Sequence, residues 1–198
     1  MRPRKPSAPP DADSLYQIAV RALARRARSS GEVRALLLRR KAAPADVEAV
    51  IQRLRDHGYL DDVRFARSFV ASRVENDLHG RARVRRDLAA RRVRPEIAEE
   101  AVRTGFDPLD EAKLLRAHLR RKIRLSQPLD KPSKVQALHR RLLRAGFRSD
   151  TIVGELKRLL RVSSKPALGD GSDDEPLRWD ELLDSLAETE EPESEPRA

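Results

Sequence analysis

Cysteine is absent from this 198-residue chain, which excludes disulfides and thiolate metal sites and makes a reducing cytoplasm its simplest setting. Aromatic residues are scarce at 4%, and hydrophobic residues reach 39% against 37% charged, so the composition predicts small helical cores and no large single one. No run of eighteen apolar residues occurs, and the basic, proline-bearing N-terminus has no apolar segment behind it. Neither a membrane span nor a secretory leader is expected. Glycine-rich phosphate loops, Gly-x-Ser-x-Gly elbows and His-Glu-x-x-His pairs are missing as well. The four histidines, His57, His79, His118 and His139, stand apart from one another and from acidic partners at ligand spacing. The reading is of a protein that is not an enzyme and uses no metal and no cofactor.

Positive charge is what the chain has in excess. The net is +10, but residues 169–198 hold twelve acids and two bases, a net of −10, so residues 1–168 carry +20. A polycationic body with an acidic tail points to a polyanionic partner, nucleic acid or anionic membrane. An arginine-rich composition that only keeps helices solvated is the plainer explanation of the same numbers.

The helical signals repeat. Residues 1–12 hold four prolines in a polar context and predict a disordered arm. A first helix is expected from Leu15 to about Ala27, with Ser14 and Gln17 at capping-box spacing and Ile18, Ala22 and Leu23 facing a core. Ser29 and Glu32 repeat the box and open a second helix carrying Val33, Leu36 and Leu37. Pro44 starts a third, with Val47, Val50, Ile51 and Leu54 in register, and Gly58 ends it. Asp61 then caps a long helix running to about Leu78. Leu60 and Phe65 have hydrophobic-staple spacing across that cap, Asp62 suits the helix dipole, and Phe65, Ala66, Phe69 and Val70 form one stripe. If the ring of Phe65 is buried, its loss to alanine costs about 3 to 5 kcal/mol. Further helices are expected from Gly80 to Arg92, from Pro95 to near Gly105, from Asp107 and Pro108 onward, from a Ser133 and Gln136 box to Gly146, and from Ser149 to Leu160.

Val47, Ile97 and Ile152 occupy equivalent positions, and Leu37, Leu88 and Leu142 precede them by ten, nine and ten residues. A period near fifty, in units that cannot each bury a core alone, predicts an all-α fold of elongated tandem three-helix repeats. The expected divisions are an arm at 1–12, repeats at 13–59, 60–106 and 107–162, and an acidic, largely disordered tail at 163–198. Within that tail Leu177, Trp179, Leu182, Leu183 and Leu186 form an amphipathic patch, either a binding motif or a segment that docks on the protein's own surface.

The basic residues have helical geometry. On the wheel, the helix from Leu109 to Arg124 sets Ala112, Leu115, Leu119 and Ile123 inward and Lys113, Arg120 and Arg124 outward, with Arg121 beside them. In the helix from Gly80, Val84 and Leu88 face inward while Arg81, Arg85 and Arg92 share a flank. Together with Arg73, these eight are the candidate contacts to DNA phosphates or to a protein partner. So few aromatics argue against base stacking.

The stretch Leu60 to Arg73, Leu-Asp-Asp-x-x-Phe-Ala-x-x-Phe-Val-x-x-Arg, closely resembles the signature of the RecX family, small regulators of the bacterial recombinase RecA. Gly80, Arg85, Asp87, Leu88 and Ile97 resemble that family's second repeat, and Leu142, Arg144, Gly146, Phe147 and Ile152 the end of its third. An aromatic usual near Leu138 is missing, and both tails lie outside the likeness. The resemblance implies a modulator without enzymatic activity, a monomer that binds within the RecA filament on DNA and restrains its ATPase and strand exchange in recombination, repair and the SOS response. A general or helix-turn-helix DNA-binding protein, and a helical scaffold for proteins alone, are the alternative readings. Gly58, Leu60, Asp61, Asp62, Phe65, Ala66, Phe69 and Val70 are the structural signature, identifying the family without forming its binding surface.

Overall fold

The computed structural model describes residues 11–123, 129–163 and 179–187, and among them every regular element is helical. The elements are α1 (Ala12–Arg25), α2 (Ser30–Leu38), α3 (Pro44–Asp56), α4 (Asp62–Ser72), a π turn (Arg73–Asp77), α5 (Arg81–Ala90), α6 (Pro95–Phe106), α7 (Glu111–Lys122), α8 (Pro132–Arg144), α9 (Ser149–Ser163) and α10 (Trp179–Ala187). The all-α expectation holds. The proline arm, Arg124, the connection at 124–128 and the segments around α10 lie outside the described residues.

Chain contacts divide the protein into two compact units, Met1–Ser72 with Arg85–Asp107, and Arg73–Val84 with Pro108–Ala198. In the first, α1, α2 and α3 close on Leu15, Ala19, Val33, Leu37, Val47, Ile51 and Leu54, while α4 packs on α6. Gly105 makes the second packing possible, because a side chain there would enter the space of Val70. Helix α6 ends at Phe106, one residue past Gly105, as the expected close near Gly105 has it.

In the second unit α7, α8 and α9 enclose Leu115, Leu119, Val135, Leu142, Phe147, Ile152 and Leu156. The segment leading into α5 joins them: the Gly80 N–H donates to the Ala145 carbonyl at 2.8 Å and the Ala82 N–H to that of Gly146 at 3.2 Å. A Cβ at Gly80 would collide with the Gly146–Phe147 backbone, so only glycine fits. Helix α10 completes this core. Leu183 is 1% exposed, the Ser149 hydroxyl donates to the Leu186 carbonyl at 2.9 Å, and Lys157 pairs with Asp184 at 2.9 Å. Of the two readings of the Trp179 patch, docking on the protein's own surface is the one observed.

Several helix starts follow rules other than those expected. Asp11, not Ser14, caps α1, accepting from the Ser14 N–H at 2.9 Å; Leu15 and Ala19 are fully buried, and the expected Ile18 and Leu23 pack against the same core. Asp110, not Asp107, caps α7. Pro132 opens α8 after Lys131, without the Ser133 box. For α1 and α7 another residue of the same loop has the geometry to accept from N3, and α8 starts at a proline with no side-chain cap; spacing alone does not choose between these starts. The Ser29 and Glu32 box, Pro44, Gly58 with φ of 71° and Gly146 with φ of 90° behave as expected.

Candidate partner and nucleic-acid interface

The signature stretch builds a groove. Gly58 turns the chain out of α3 in a left-handed backbone, and Asp61 caps α4 by accepting from the Arg64 N–H at 2.9 Å. Leu60 is buried, whereas Phe65 and Phe69 are half-buried, their rings stacked with centroids 6.0 Å apart. This corrects the reading of Phe65 as a core staple: the stripe Ala66 and Val70 goes into the core, and the two phenylalanines lie toward its edge. Together with Val20, Leu23 and Leu60 they floor an open cavity of about 1080 Å³. Its rim is basic, formed by Arg26, Arg28, Arg55, Arg64 and Arg91, with Asp61 the acid among them.

Rim and floor are fixed by a polar network. Glu32, 13% exposed at its side chain, bonds Arg26 at 2.9 Å, the Ser29 N–H at 3.3 Å and Arg91 at 3.3 Å. Burial opposes its ionisation, yet the hydrogen bond and charge of Arg26, the Ser29 amide and Arg91 outweigh that and hold the carboxyl below the usual glutamate range. The Ser29 hydroxyl accepts from the Glu32 N–H and donates to the Arg91 carbonyl, and the Ser30 N–H donates to Asp62 at 2.7 Å. Asp62 thus joins α4 to α2, a task beyond the dipole role read from sequence. The guanidinium of Arg91 also lies 5.7 Å from the centre of the Phe69 ring. Burial, with the like charges of Arg26, Arg39 and Arg91 adding to it, pushes Arg28 below the usual arginine value. Such a rim is a place where an incoming anionic group relieves repulsion, over a floor where apolar side chains can be covered. Arginine and aromatic residues together are typical of the energetic centre of protein interfaces.

The eight candidate cations, seven from the wheels and Arg73, do not form one patch within one unit. Arg85 and Arg92 belong to the first, and Arg73, Arg81, Lys113, Arg120 and Arg121 to the second. Arg92 is a correction: α5 ends at Ala90, and Arg92 follows in a left-handed backbone, φ 57°, so it does not share the helical flank of Arg81 and Arg85. Its backbone instead abuts Gly31, where a Cβ would strike the Arg92 carbonyl. Arg73 is ion-paired with Asp77 in the π turn. Arg85 lies 3.8 Å from Glu99 and Lys113 3.7 Å from Asp110. Arg81, Arg120 and Arg121 are exposed, and Arg124 is outside the described residues. Sequence reasoning missed the groove because its rim gathers α1, α3, α4 and the end of α5. The one available signal was the pairing of Phe65 and Phe69 with Arg64 and Ser68 in a helix whose stripe is wider than its core needs.

Two family profiles match the chain: the first three-helix domain of RecX over residues 16–54 and the second over 61–102. The regulatory protein RecX of Prosthecochloris aestuarii is 35% identical over 135 residues, covering 68% of this chain and 86% of that protein. That of Shigella dysenteriae is 34% identical over 148 residues, covering 70% and 87%. That of Chromohalobacter salexigens is 40% identical over 84 residues, but the chain spans only 55% of it. Among solved structures, RecX from Lactobacillus salivarius superposes with a TM-score of 0.60 at 21% identity, covering 76% of this chain and 97% of that one. A second RecX crystal structure gives 0.62 at 21% identity, covering 74% and 71%. At that identity the two structures speak to the fold.

Proposed function

The chain belongs to the RecX family of regulatory proteins, and from that premise we propose that it binds the filament formed by the RecA recombinase on DNA and restrains its ATPase and strand exchange. The observation that carries the reading is the groove floored by Phe65 and Phe69 and rimmed by five arginines. Gly58, Leu60, Asp61, Phe65 and Phe69 of the signature line it, so in this reading part of the signature does belong to the binding surface, contrary to the expectation from sequence, and the groove offers the apolar and cationic contacts that a protein surface needs. The +20 of residues 1–168 supplies long-range attraction to a nucleoprotein filament. In this reading the protein acts in the cytoplasm as a monomer of three helical repeats, without cofactor. Arg81, Arg85, Lys113, Arg120 and Arg121 contact DNA phosphates, and the groove contacts recombinase.

Titrating the protein against RecA on single-stranded DNA tests this. Substoichiometric amounts are expected to lower DNA-dependent ATP hydrolysis, and an unchanged rate over a wide titration refutes the reading. Arg64→Glu in the groove should abolish the effect while leaving affinity for bare DNA within a few-fold. DNA affinity should be tolerant of sequence and fall roughly a thousandfold between 50 and 200 mM salt if about six phosphates are contacted. A strong preference for one duplex sequence would favour a helix-turn-helix transcription factor instead.

A further inference from the structure

The second unit contains a basic concavity that neither the signature nor the wheel singled out. It is a cavity of about 590 Å³ walled by the end of the π turn, the first turn of α5 with the segment before it, α7 and the end of α8. Six basic side chains converge on it: His79, Arg83, His118, Lys122, Arg141 and Arg144. The acid lining it is Asp77, whose carboxylate is held by Arg73 and is kept below the usual range first by that hydrogen bond. Ala145 is the apolar residue of the lining, so the cavity presents no face on which a nucleobase or an acyl chain is covered.

Lys122, Arg141 and Arg144 stand at the C-terminal ends of α7 and α8, where positive charge suits the helix dipole. The dipole explains their position along the helices. It does not require two helix ends and the entry to α5 to aim their charges into one concavity. The Gly80 and Ala82 amides are spent on the Ala145 and Gly146 carbonyls, and the cavity's basic lining presents side-chain charge to a ligand.

The geometry is held in place. His118 is 7% exposed, meets Phe147 edge-on at 5.3 Å, and places Nδ1 2.9 Å from the carbonyl of Leu78. A carbonyl only accepts, so Nδ1 carries the hydrogen, and in the neutral ring Nε2 is the acceptor. Leu78 itself is in a left-handed backbone, φ 54°, an uncommon state for leucine that this bond helps to hold. Arg141 donates to the Lys122 carbonyl at 3.3 Å, joining the two helix ends. Burial, and after it the charges of His79, Arg141 and Lys122, push His118 below the ordinary histidine value against the pull of the Leu78 carbonyl. The positive potential of the concavity therefore reaches its buried wall.

We propose that this concavity is a seat for a phosphoryl oxyanion, held by Arg83, Lys122, Arg141 and Arg144. Guanidinium pairs suit the tetrahedral oxygens of phosphate, and a bound anion removes the repulsion that disfavours charged imidazole. The phosphate has two possible sources, the backbone of a nucleic acid or a small phosphorylated ligand. The first deepens the DNA-contacting part of the function proposed above and rests on it; the anion chemistry does not.

The test begins with imidazole NMR titrations of the full chain in inorganic phosphate and in chloride of matched ionic strength. Phosphate is expected to move the His118 and His79 resonances saturably and to raise the midpoint of His118, leaving His57 and His139 unmoved. Identical responses in the two salts overturn the proposal. The double variant Lys122→Gln/Arg144→Gln should weaken phosphate binding about tenfold or more. If it binds phosphate as the parent does, with His139 unmoved as the sign of an intact fold, the proposal also fails. Arg83→Glu provides the same comparison should the double variant not fold.

A duplex-DNA titration against salt separates the sources. A logarithmic slope shallower by about two in the double variant assigns the seat to backbone phosphates. An unchanged slope beside lost phosphate binding assigns it to a small ligand. RecA ATPase is measured in parallel: a parent protein that seats phosphate yet leaves RecA untouched refutes the function proposed above and not the seat.

Discussion

Glu32 shows how much one side chain carries in the first unit. Its carboxylate serves the N-cap of α2 and answers Arg26 and Arg91, so replacing it leaves two guanidiniums without their shared anion. Glu32→Gln should lower stability by about 1 to 3 kcal/mol at neutral pH in urea titrations. Because the folded-state pKa lies below the unfolded one, this contribution is complete above the ordinary glutamate range and is lost as pH falls through the lower folded value. The gap between the two proteins should therefore close in acid, and a gap that stayed constant to low pH would contradict the assigned charge state. Phe65 makes the complementary point. With its ring half-buried against Phe69, Phe65→Ala should cost about 2 kcal/mol, less than the 3 to 5 of a fully buried ring, and should impair partner binding in a protein that remains folded. The alternation of Phe65, Ala66, Phe69 and Val70 was legible as one stripe, but how far the core reaches around a helix depends on what packs against it. Here α4 packs on α6 with Ala66 and Val70 buried, and the rings stay half-buried.

Helices are set by local rules and placed by contact. Caps at Ser29 and Asp61, prolines at the first turn of α3 and α6, and left-handed glycines at 58 and 146 act within a few residues, which is why they could be read in advance. Glycines 80 and 105 act through neighbours distant in sequence. Gly80→Ala should destabilise by about 1 to 3 kcal/mol or more, because backbone occupies the space its Cβ needs. Gly154→Ala, in the middle of α9 with nothing within 4 Å of a new Cβ, should instead raise stability by about 0.5 to 1 kcal/mol. Thermal unfolding of the two variants distinguishes a helix glycine kept for packing from one that is merely tolerated. Were both neutral, the close approach at Gly80 would be wrong.

Across the whole molecule the acidic tail is two things. Residues 179–187 form α10, part of the core of the second unit, whereas residues 188–198 add five glutamates and one arginine beyond it. Removing everything after residue 163 confounds charge with stability, because it uncovers the site filled by Leu183. Removing 188–198 alone takes away a net charge of −4 and should tighten DNA binding several-fold at low salt, with no change in melting temperature. Removing 164–198 should lower the melting temperature. Equal DNA affinity with and without 188–198 would show that these acids do not compete for the basic body.

Helix content, the repeat near fifty residues, the glycine and proline stops, the surplus of positive charge and membership of the RecX family were all present in the linear chain. Each rests on spacing within a helix, on composition or on a contiguous motif. Which cations share a concavity was not. Arg26, Arg55 and Arg91 are far apart in the chain, as are Arg83, Lys122 and Arg144, and only packing of helices distant in sequence brings each set to one cavity. Arg92 illustrates the limit: the wheel places it beside Arg85 only if the helix continues, and the chain instead leaves the helix at Ala90 and sets the Arg92 backbone against Gly31, a contact distant in sequence.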